Sequence, residues 1–301
     1  MIAPVALWPS VAGLIFLGTG LFIARKEISS EPGWGKLIAL AGVLYAVPLA
    51  VFGVEHLCAA ESMATIVPAW MPWRIFWAYF VGASLIAAAL SLVTRKSVGL
   101  SASLTAALLF LFVLLIHLPN TLQEPKDRIL LAVALRDSAF AAGALALAGT
   151  QLRDRAPSSS ARLILVARWI VALAAIYFGI EHFLHPEFAP GVPLQKITPA
   201  WVPIPRFWGY AVGAVLLGAA ISLIFRKTTR SAATWLGGTM LLLTVLLYLP
   251  ILLMASGTGA IVEGVNYVAD TMLFAGTALL LAYAIPHPHP DASSAPAKQP
   301  A

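Results

Sequence analysis

Two near-identical phrases, each at the end of a long apolar run, show that the chain contains an internal repeat. FGVEHL at 52–57 recurs as FGIEHF at 178–183, and the residues around each phrase align as well. The second copy carries an insertion of about five residues shortly after its phrase. Because each copy of a duplication forms the same supersecondary unit, this feature constrains the fold more than any other. We predict one unit at 36–150 and another at 162–285.

The composition indicates that both units lie in a membrane. The chain is 60% hydrophobic and 11% charged, with a mean hydropathy of +0.88, far outside the range of water-soluble domains. A helix needs about 20 apolar residues to cross the hydrocarbon core. The apolar windows predict an all-α integral membrane protein with nine transmembrane helices, at 5–24, 37–56, 76–94, 101–119, 132–150, 163–182, 207–225, 233–254 and 266–285.

These spans divide into a leading helix and two tandem four-helix bundles. The leading helix, within residues 1–30, is expected to be an N-terminal anchor, since no basic residue precedes its apolar run and Arg25 and Lys26 follow it. Each unit has an even number of spans, so the two copies should have the same, parallel orientation. The residues at 151–161 read as a linker, and the Pro-, Ala- and Ser-rich stretch at 286–301 as a disordered tail.

The loop charges predict the orientation. Positively charged residues concentrate on the cytoplasmic side of membrane proteins. One set of alternate loops, with the tail, holds most of them: Arg25, Lys26, Lys36, Arg95, Lys96, Arg153, Arg155, Arg162, Arg226, Lys227, Arg230 and Lys298. The other set holds Arg74, Lys126, Arg128, Lys196 and Arg206. We predict a protein of the cell membrane with its N-terminus outside and its C-terminus and linker in the cytoplasm. The basic balance is then a matter of topology and indicates no nucleic-acid partner.

Ionisable and aromatic side chains gather toward the predicted outer side of both units. Ionisable groups inside spans usually face a bundle interior or a cavity. The candidate proton-exchanging groups are Glu181, His182 and Asp270, with Glu55, His56 and Asp137 in the first copy. The candidate ligand-binding groups are Trp201, Trp208, Tyr210 and Tyr248, with Trp70, Trp77, Tyr79 and His117 in the first copy. The two aspartates are expected about 8 Å below the outer surface, at 1.5 Å per residue.

Other interpretations of these residues stay open. The Glu-His pairs could be solvated at the headgroups, the aromatic residues could form an interfacial belt, and the aspartates could make interhelical hydrogen bonds. Arg136 should not pair with Asp137, since adjacent helical residues point in different directions, and it could reach Glu55 instead. Glu181, His182 and His185 suggest a metal set, but Pro186 interrupts the helical spacing, and we predict no bound metal.

At these residues the chain resembles the DoxX-like family of four-span membrane proteins. The resemblance rests on FGxxHF at the end of a first helix, a P-x-W-x-P loop (IVPAWMP and ITPAWVP) and a second helix that opens with Trp and Tyr. It covers most of the chain as two fused copies with an added first helix. It implies a link to thiosulfate:quinone oxidoreductase subunits and to membrane complexes that handle thiol stress. The single cysteine, Cys58, gives no support for thiol chemistry within this chain.

Three functions follow as hypotheses. The first is a membrane subunit that binds a quinone or a similar amphipathic molecule, for which carboxylate and imidazole groups exchange protons. No haem, flavin or iron–sulfur motif is visible, so electrons would have to come from a redox partner protein, and whether the chain is itself an enzyme stays open. The second is a non-enzymatic assembly or stress-related membrane component. The third is a transporter, against which the unbroken apolar spans argue. The sequence indicates no oligomeric state.

Overall fold

The computed structural model describes residues 3–225 and 227–286. Within these ranges, nine helices are long and apolar enough to cross a membrane, which confirms the predicted multi-pass, all-α class. In chain order they are α1 (Pro4–Ser30), α2 (Gly35–Cys58), α3 (Arg74–Thr94), α4 (Val98–Gln123), α5 (Arg128–Gln151), α6 (Pro157–Leu184), α7 (Pro205–Ile224), α8 (Thr229–Leu253) and α9 (Thr258–Ala284). Each coincides with one predicted span. Of the predicted tail, all but Pro286 lies outside the described residues.

The connection between the two units is shorter than the predicted linker. Helix α5 ends at Gln151 and α6 already begins at Pro157, so part of the predicted linker is helical. Proline is favourable at the first helical position, because its missing N–H would have no partner there in any case. Pro157 and the three serines after it, which the sequence placed in the linker, form the first turn of α6.

The two units pack against each other chiefly through their fourth helices, of which α9 is the most buried helix of the described residues. Over its most apolar stretch α9 is 83% buried, whereas α1 is 22% buried and lies at the edge against α2. Helix α5, the fourth of the first unit, packs against α6, the first helix of the second unit. Helix α9 packs in the same way against α2, and α5 and α9 also contact each other. Polar side chains on α5 and α9 therefore meet at the junction of the units.

The glycine of the repeated phrase sets the distance between the first two helices of each unit. A Cβ on Gly53 would lie 2.9 Å from the carbonyl oxygen of Gly82, and a Cβ on Gly82 would lie 2.8 Å from that of Gly53. Gly179 and Gly213 form the equivalent close contact in the second unit. Small residues allow membrane helices to approach this closely. The contact brings the histidine of each Glu-His pair against the second helix, where a Cβ on Gly82 or Gly213 would lie 3.1 or 3.0 Å from the Cβ of His56 or His182.

The third helix of each unit contains a short π-helical segment. It spans Val113–His117 in α4 and Thr244–Tyr248 in α8, and a Leu-Pro pair follows it in both helices. Proline lacks the N–H that an α-helix needs and crowds the carbonyl four residues before it, so a widened turn at this point is expected. His117 and Tyr248, the last residues of the two segments, occupy equivalent positions in the two units.

Candidate functional site

A cavity of about 330 Å³ lies between α2, α3, α4 and α5 of the first unit and α9 of the second. Its carbon-rich walls are formed chiefly by Leu49, Phe52, Val81, Leu85, Leu109, Phe112, Phe140 and Leu273. Its polar groups are Glu55, His56, His117, Arg136, Asp137, Asn266 and Asp270. A small number of convergent polar groups in an apolar pocket of this size is typical of small-molecule sites.

A chain of ionic contacts runs along one side of this cavity. Nε2 of His117 lies 2.9 Å from Oδ2 of Asp137. Nε of Arg136 donates to Oδ1 of Asp137 at 3.2 Å, and Nη1 of Arg136 donates to Oδ2 of Asp270 at 2.6 Å. The prediction that Arg136 would avoid Asp137 and reach Glu55 was therefore wrong. The long arginine side chain folds back to its neighbour while its far end crosses to α9.

Both aspartates lie farther along their helices than predicted. Asp137 is the tenth residue of α5 and Asp270 the thirteenth residue of α9, because both helices begin before the predicted spans. At 1.5 Å per residue they lie roughly 14 and 18 Å from the first residues of their helices. The ionic chain is thus well inside the helix bundle rather than at its rim.

The Glu-His dipeptide of the first copy faces the same cavity. Nδ2 of Asn266 donates to Oε1 of Glu55 at 3.1 Å, which joins α9 to α2. Nδ1 of His56 lies 2.8 Å from the carbonyl oxygen of Phe52, the first residue of the repeated phrase. Sequence reasoning missed Asn266. The available signal was an amide side chain inside an apolar span. The repeat gave it no support, because the aligned residue of the first copy is Val133.

The charges of the cluster do not balance without protons. Arg136 is the one arginine that lines the cavity, whereas Glu55, Asp137 and Asp270 are three carboxyl groups. An uncompensated charge is costly to bury. Neutrality therefore requires protons on some of the cavity's side chains, and carboxyl and imidazole groups are chemically suited to taking them up and releasing them.

In the second copy, part of the loop after α6 occupies the position equivalent to the cavity. The six residues Ala189–Leu194, here called the plug, are all buried, and they belong to the longer connection of the second copy. Val192 and Leu194 join the main hydrophobic core. Gly191 has a φ of +137°, and a Cβ there would lie 3.0 Å from the hydroxyl oxygen of Tyr248, so the chain turns at the one residue type that fits.

The plug bonds to the counterparts of two cavity residues. The N–H of Gly191 donates to Nε2 of His182 at 2.8 Å, while Nδ1 of His182 lies 2.6 Å from the carbonyl oxygen of Phe178. The hydroxyl of Tyr248 donates to the carbonyl oxygen of Pro190 at 3.0 Å. Both ring nitrogens of His182 thus have backbone partners. In the first copy the equivalent residues, His56 and His117, line the cavity instead.

Glu181 also has a partner from the other unit. Nη1 of Arg128 donates to Oε2 of Glu181 at 3.3 Å, and Nη2 donates to the carbonyl oxygen of Leu194 at 3.2 Å. Arg128 therefore connects α5, α6 and the plug. Protein groups therefore surround the Glu-His pair of the second copy.

The aromatic candidates have different surroundings. Trp77 and His117 line the first-copy cavity, and Tyr248 is fully buried against the plug. The indole N–H of Trp77 donates to the carbonyl oxygen of Pro72, and that of Trp208 to the carbonyl oxygen of Pro203, both at 3.0 Å. These two tryptophans thus fix the Pro-Trp-Pro loops to the second helix of each unit. The remaining candidates have large exposed fractions on the surface: Trp70, Tyr79, Trp201 and Tyr210.

The residues suggested as a metal set do not converge. His182 is bonded to the backbone as above, and Nδ1 of His185 lies 3.6 Å from Oε1 of Glu187. Across residues 3–225 and 227–286, no group of three or more His, Cys, Asp or Glu side chains is arranged to hold a metal ion.

Comparisons with protein-family models, curated proteins and solved structures found no match for this chain.

Proposed function

We propose that this membrane protein binds one quinone-like amphipathic molecule in the first-copy cavity and exchanges protons with it. The observation that carries the proposal is the cavity itself, which combines carbon-rich walls with the buried chain from His117 through Asp137 and Arg136 to Asp270. The resemblance to the DoxX-like family, which links such units to quinone chemistry, supports the same class of ligand.

The size and the chemistry of the cavity fit a single ring-shaped head group. Its volume of about 330 Å³ lies at the lower end of the range for ligand pockets. Phe52, Phe112 and Phe140 offer aromatic surface to a planar ring. His117, Arg136 and Asn266 offer donors to the two oxygens of a quinone. An apolar tail on the ligand would extend toward the lipid. The ligand would dissolve in the bilayer and enter the cavity from it.

The acid and base groups would supply the protons. Conversion of a quinone to a hydroquinone takes up two electrons and two protons. The carboxyl groups and His117 can deliver protons to the ring oxygens, while a redox partner protein supplies the electrons. In this proposal the second unit contributes Asp270 and Asn266, while its own His182 bonds to the plug and its Glu181 bonds to Arg128, which also contacts the plug.

The test is the identity and amount of small molecule that co-purifies with the protein. Organic extracts of the detergent-purified chain would be analysed by mass spectrometry for wild type, Val81→Phe and Val215→Phe. Val81 lines the cavity, whereas Val215 is exposed on the outside of α7, the counterpart helix. We expect near-stoichiometric quinone in wild type and in Val215→Phe, and a several-fold loss in Val81→Phe at equal yield and thermal stability.

Two outcomes would contradict the proposal. One is wild-type protein that carries no more quinone than an unrelated membrane protein purified in parallel. The other is equal quinone in all three variants. Either result would favour the second candidate function, a non-enzymatic membrane component, for which the ionic contacts between α5 and α9 would only join the two units.

A further inference from the structure

A second cavity, of about 320 Å³, lies on the other side of the ionic chain. Arg136, Asn266 and Asp270 line both cavities, so these three side chains form a shared wall. The other lining residues are Pro193, Gln195, Gly259, Val262, Glu263 and Tyr267. Gln195, Gly259 and Glu263 are exposed, which places the mouth of this second cavity at the membrane surface where α9 begins.

The polar residues of the second cavity form a stripe along one face of α9. Asn266 and Tyr267 each lie three or four residues from both Glu263 and Asp270, so the four side chains lie along one side of the helix. In the aligned helix α5 the corresponding residues are Leu130, Val133, Ala134 and Asp137. Helix α5 therefore forms without the first three of these polar groups. The fold of the unit does not require the polar stripe of α9.

At the surface end of the stripe two hydrogen bonds converge on Glu263. Nζ of Lys196 donates to Oε2 of Glu263 at 2.9 Å, and the hydroxyl of Tyr267 donates to Oε1 of Glu263 at 2.8 Å. Deeper in, Oδ1 of Asn266 is buried and has no hydrogen-bond partner among the described residues. A buried amide oxygen without a partner is costly, and water in an adjoining polar cavity is the usual way to satisfy it.

We propose that this second cavity is an aqueous inlet that carries protons from the surface to Asp270 and, through the shared wall, to the ligand site. The inference rests on the proposed function. Each proton that the carboxyl groups or His117 give to the ligand is replaced by one from water in the inlet, so the charge of the cluster is restored. The electrons do not pass this way. Glu263 and Tyr267 are positioning residues that keep the inlet polar.

The accessibility of one deep position to a charged thiol reagent tests the inlet without depending on the ligand. Tyr267→Cys places a thiol in the inlet, and Ala134→Cys places one at the aligned position of α5, both in a Cys58→Ser background. The proteins would be reconstituted in lipid nanodiscs and treated with a sulfonated methanethiosulfonate. We expect labelling about tenfold faster at residue 267, because a thiol in contact with water ionises and a thiol in apolar surroundings does not.

Closing the mouth provides the decisive control. Gly259 lines the inlet, and a Cβ on it would meet no atom within 4 Å, so Gly259→Trp should be tolerated and should slow labelling of Tyr267→Cys to the rate of Ala134→Cys. Gly18, on α1, has equally open surroundings, and Gly18→Trp should leave the rate unchanged. Equal labelling at 267 and 134, or labelling at 267 that Gly259→Trp does not slow, would overturn the inlet.

The two proposals can fail separately. Quinone content, measured on the protein with Tyr267 intact, reports on the ligand site. Thiol labelling reports on water in the inlet. Fast labelling without bound quinone would support a water-filled second cavity and contradict the proposed function. Bound quinone with slow labelling would support the ligand site and contradict the inlet.

Discussion

Arg136 is the residue whose loss should affect the protein most, because its guanidinium contacts carboxyl groups from both units. It bonds to Asp137 on α5 and to Asp270 on α9, and 18% of its side chain is exposed. Removing one partner of a buried ion pair costs about 3–5 kcal/mol, since the other charge stays buried without compensation. Because the site is partly open to its cavity, we expect Arg136→Gln to lower the free energy of unfolding by about 3 kcal/mol, the low end of that range.

The partner substitution should be milder. Asp270→Asn removes a charge but retains a side-chain oxygen that accepts from Arg136, and the guanidinium keeps Asp137. Hydrogen bonds between membrane helices contribute about 0.6–2 kcal/mol, so we expect a loss in that range. The double variant, Arg136→Gln with Asp270→Asn, lacks both the arginine charge on α5 and the aspartate charge on α9. Its stability should exceed the additive expectation by about 1–2 kcal/mol, as is usual for residues in contact.

Unfolding in mixed micelles of mild detergent and dodecyl sulfate, followed by circular dichroism, measures these differences. Arg95→Gln is the matched control. Arg95 also pairs with an acidic residue on another helix, Glu27, but the two side chains are 52% and 37% exposed, so removal of Arg95 should cost less than about 1 kcal/mol. The reasoning fails if Arg136→Gln is no more destabilising than Arg95→Gln, or if the effects of Arg136→Gln and Asp270→Asn simply add.

The plug and the orientation allow two further predictions. Gly191→Ala should lower the thermal midpoint by several degrees, because it forces a Cβ toward Tyr248 at a positive φ. Gly218→Ala is the control and should be nearly neutral, because its Cβ meets no atom within 4 Å. Equal midpoints for the two variants would show that the plug is not tightly held. For the orientation, a cysteine at Ser158 should resist an impermeant maleimide in intact cells and one at Ser256 should react, in a background without the native cysteine. Reversed labelling would place the mouth of the inlet on the cytoplasmic side.

The membrane helices could be predicted from the sequence because their physical cause is local. In a hydrocarbon environment every backbone N–H and C=O must find a partner within its own segment, so a long apolar run such as the one ending at FGVEHL becomes a helix. The repeat then indicated that equivalent residues share a depth. His117 and Asp137 lie on successive spans and were both expected toward the outer side. In the structure their side chains lie 2.9 Å apart.

The partners across the unit boundary could not be predicted. Lipid tails are as apolar as leucine, so hydropathy does not distinguish a helix face that touches lipid from one that touches protein. The contacts of Arg136 with Asp270 and of Asn266 with Glu55 depend on α9 packing against α2 and α5, which no spacing along the chain reveals. The reach of the Arg136 side chain back to Asp137 was misjudged because backbone direction was used in place of side-chain length.

The role of the inserted residues was also hidden in the sequence. An alignment of the two copies shows the longer loop after α6 only as extra length. Whether such residues extend into solvent or fold into the bundle depends on the space left between the helices. The composition APGVPL is apolar and rich in Pro and Gly, which suits a buried turn, but the same letters occur in surface loops.

The two similar units differ in whether the space beside their Glu-His pair is open or filled. Both units have the same glycine contact, the same π-helical segment and a Glu-His pair, so both have a space in which polar groups face inward. Burying charge in two such spaces would carry the desolvation penalty twice. In the second unit the plug meets His182 and Tyr248 with backbone groups, and Ala269 stands where the first unit has Arg136. The second unit keeps Asp270, which contacts Arg136 of the first unit as Asn266 contacts Glu55, so the ionisable groups gather in one cluster at the junction.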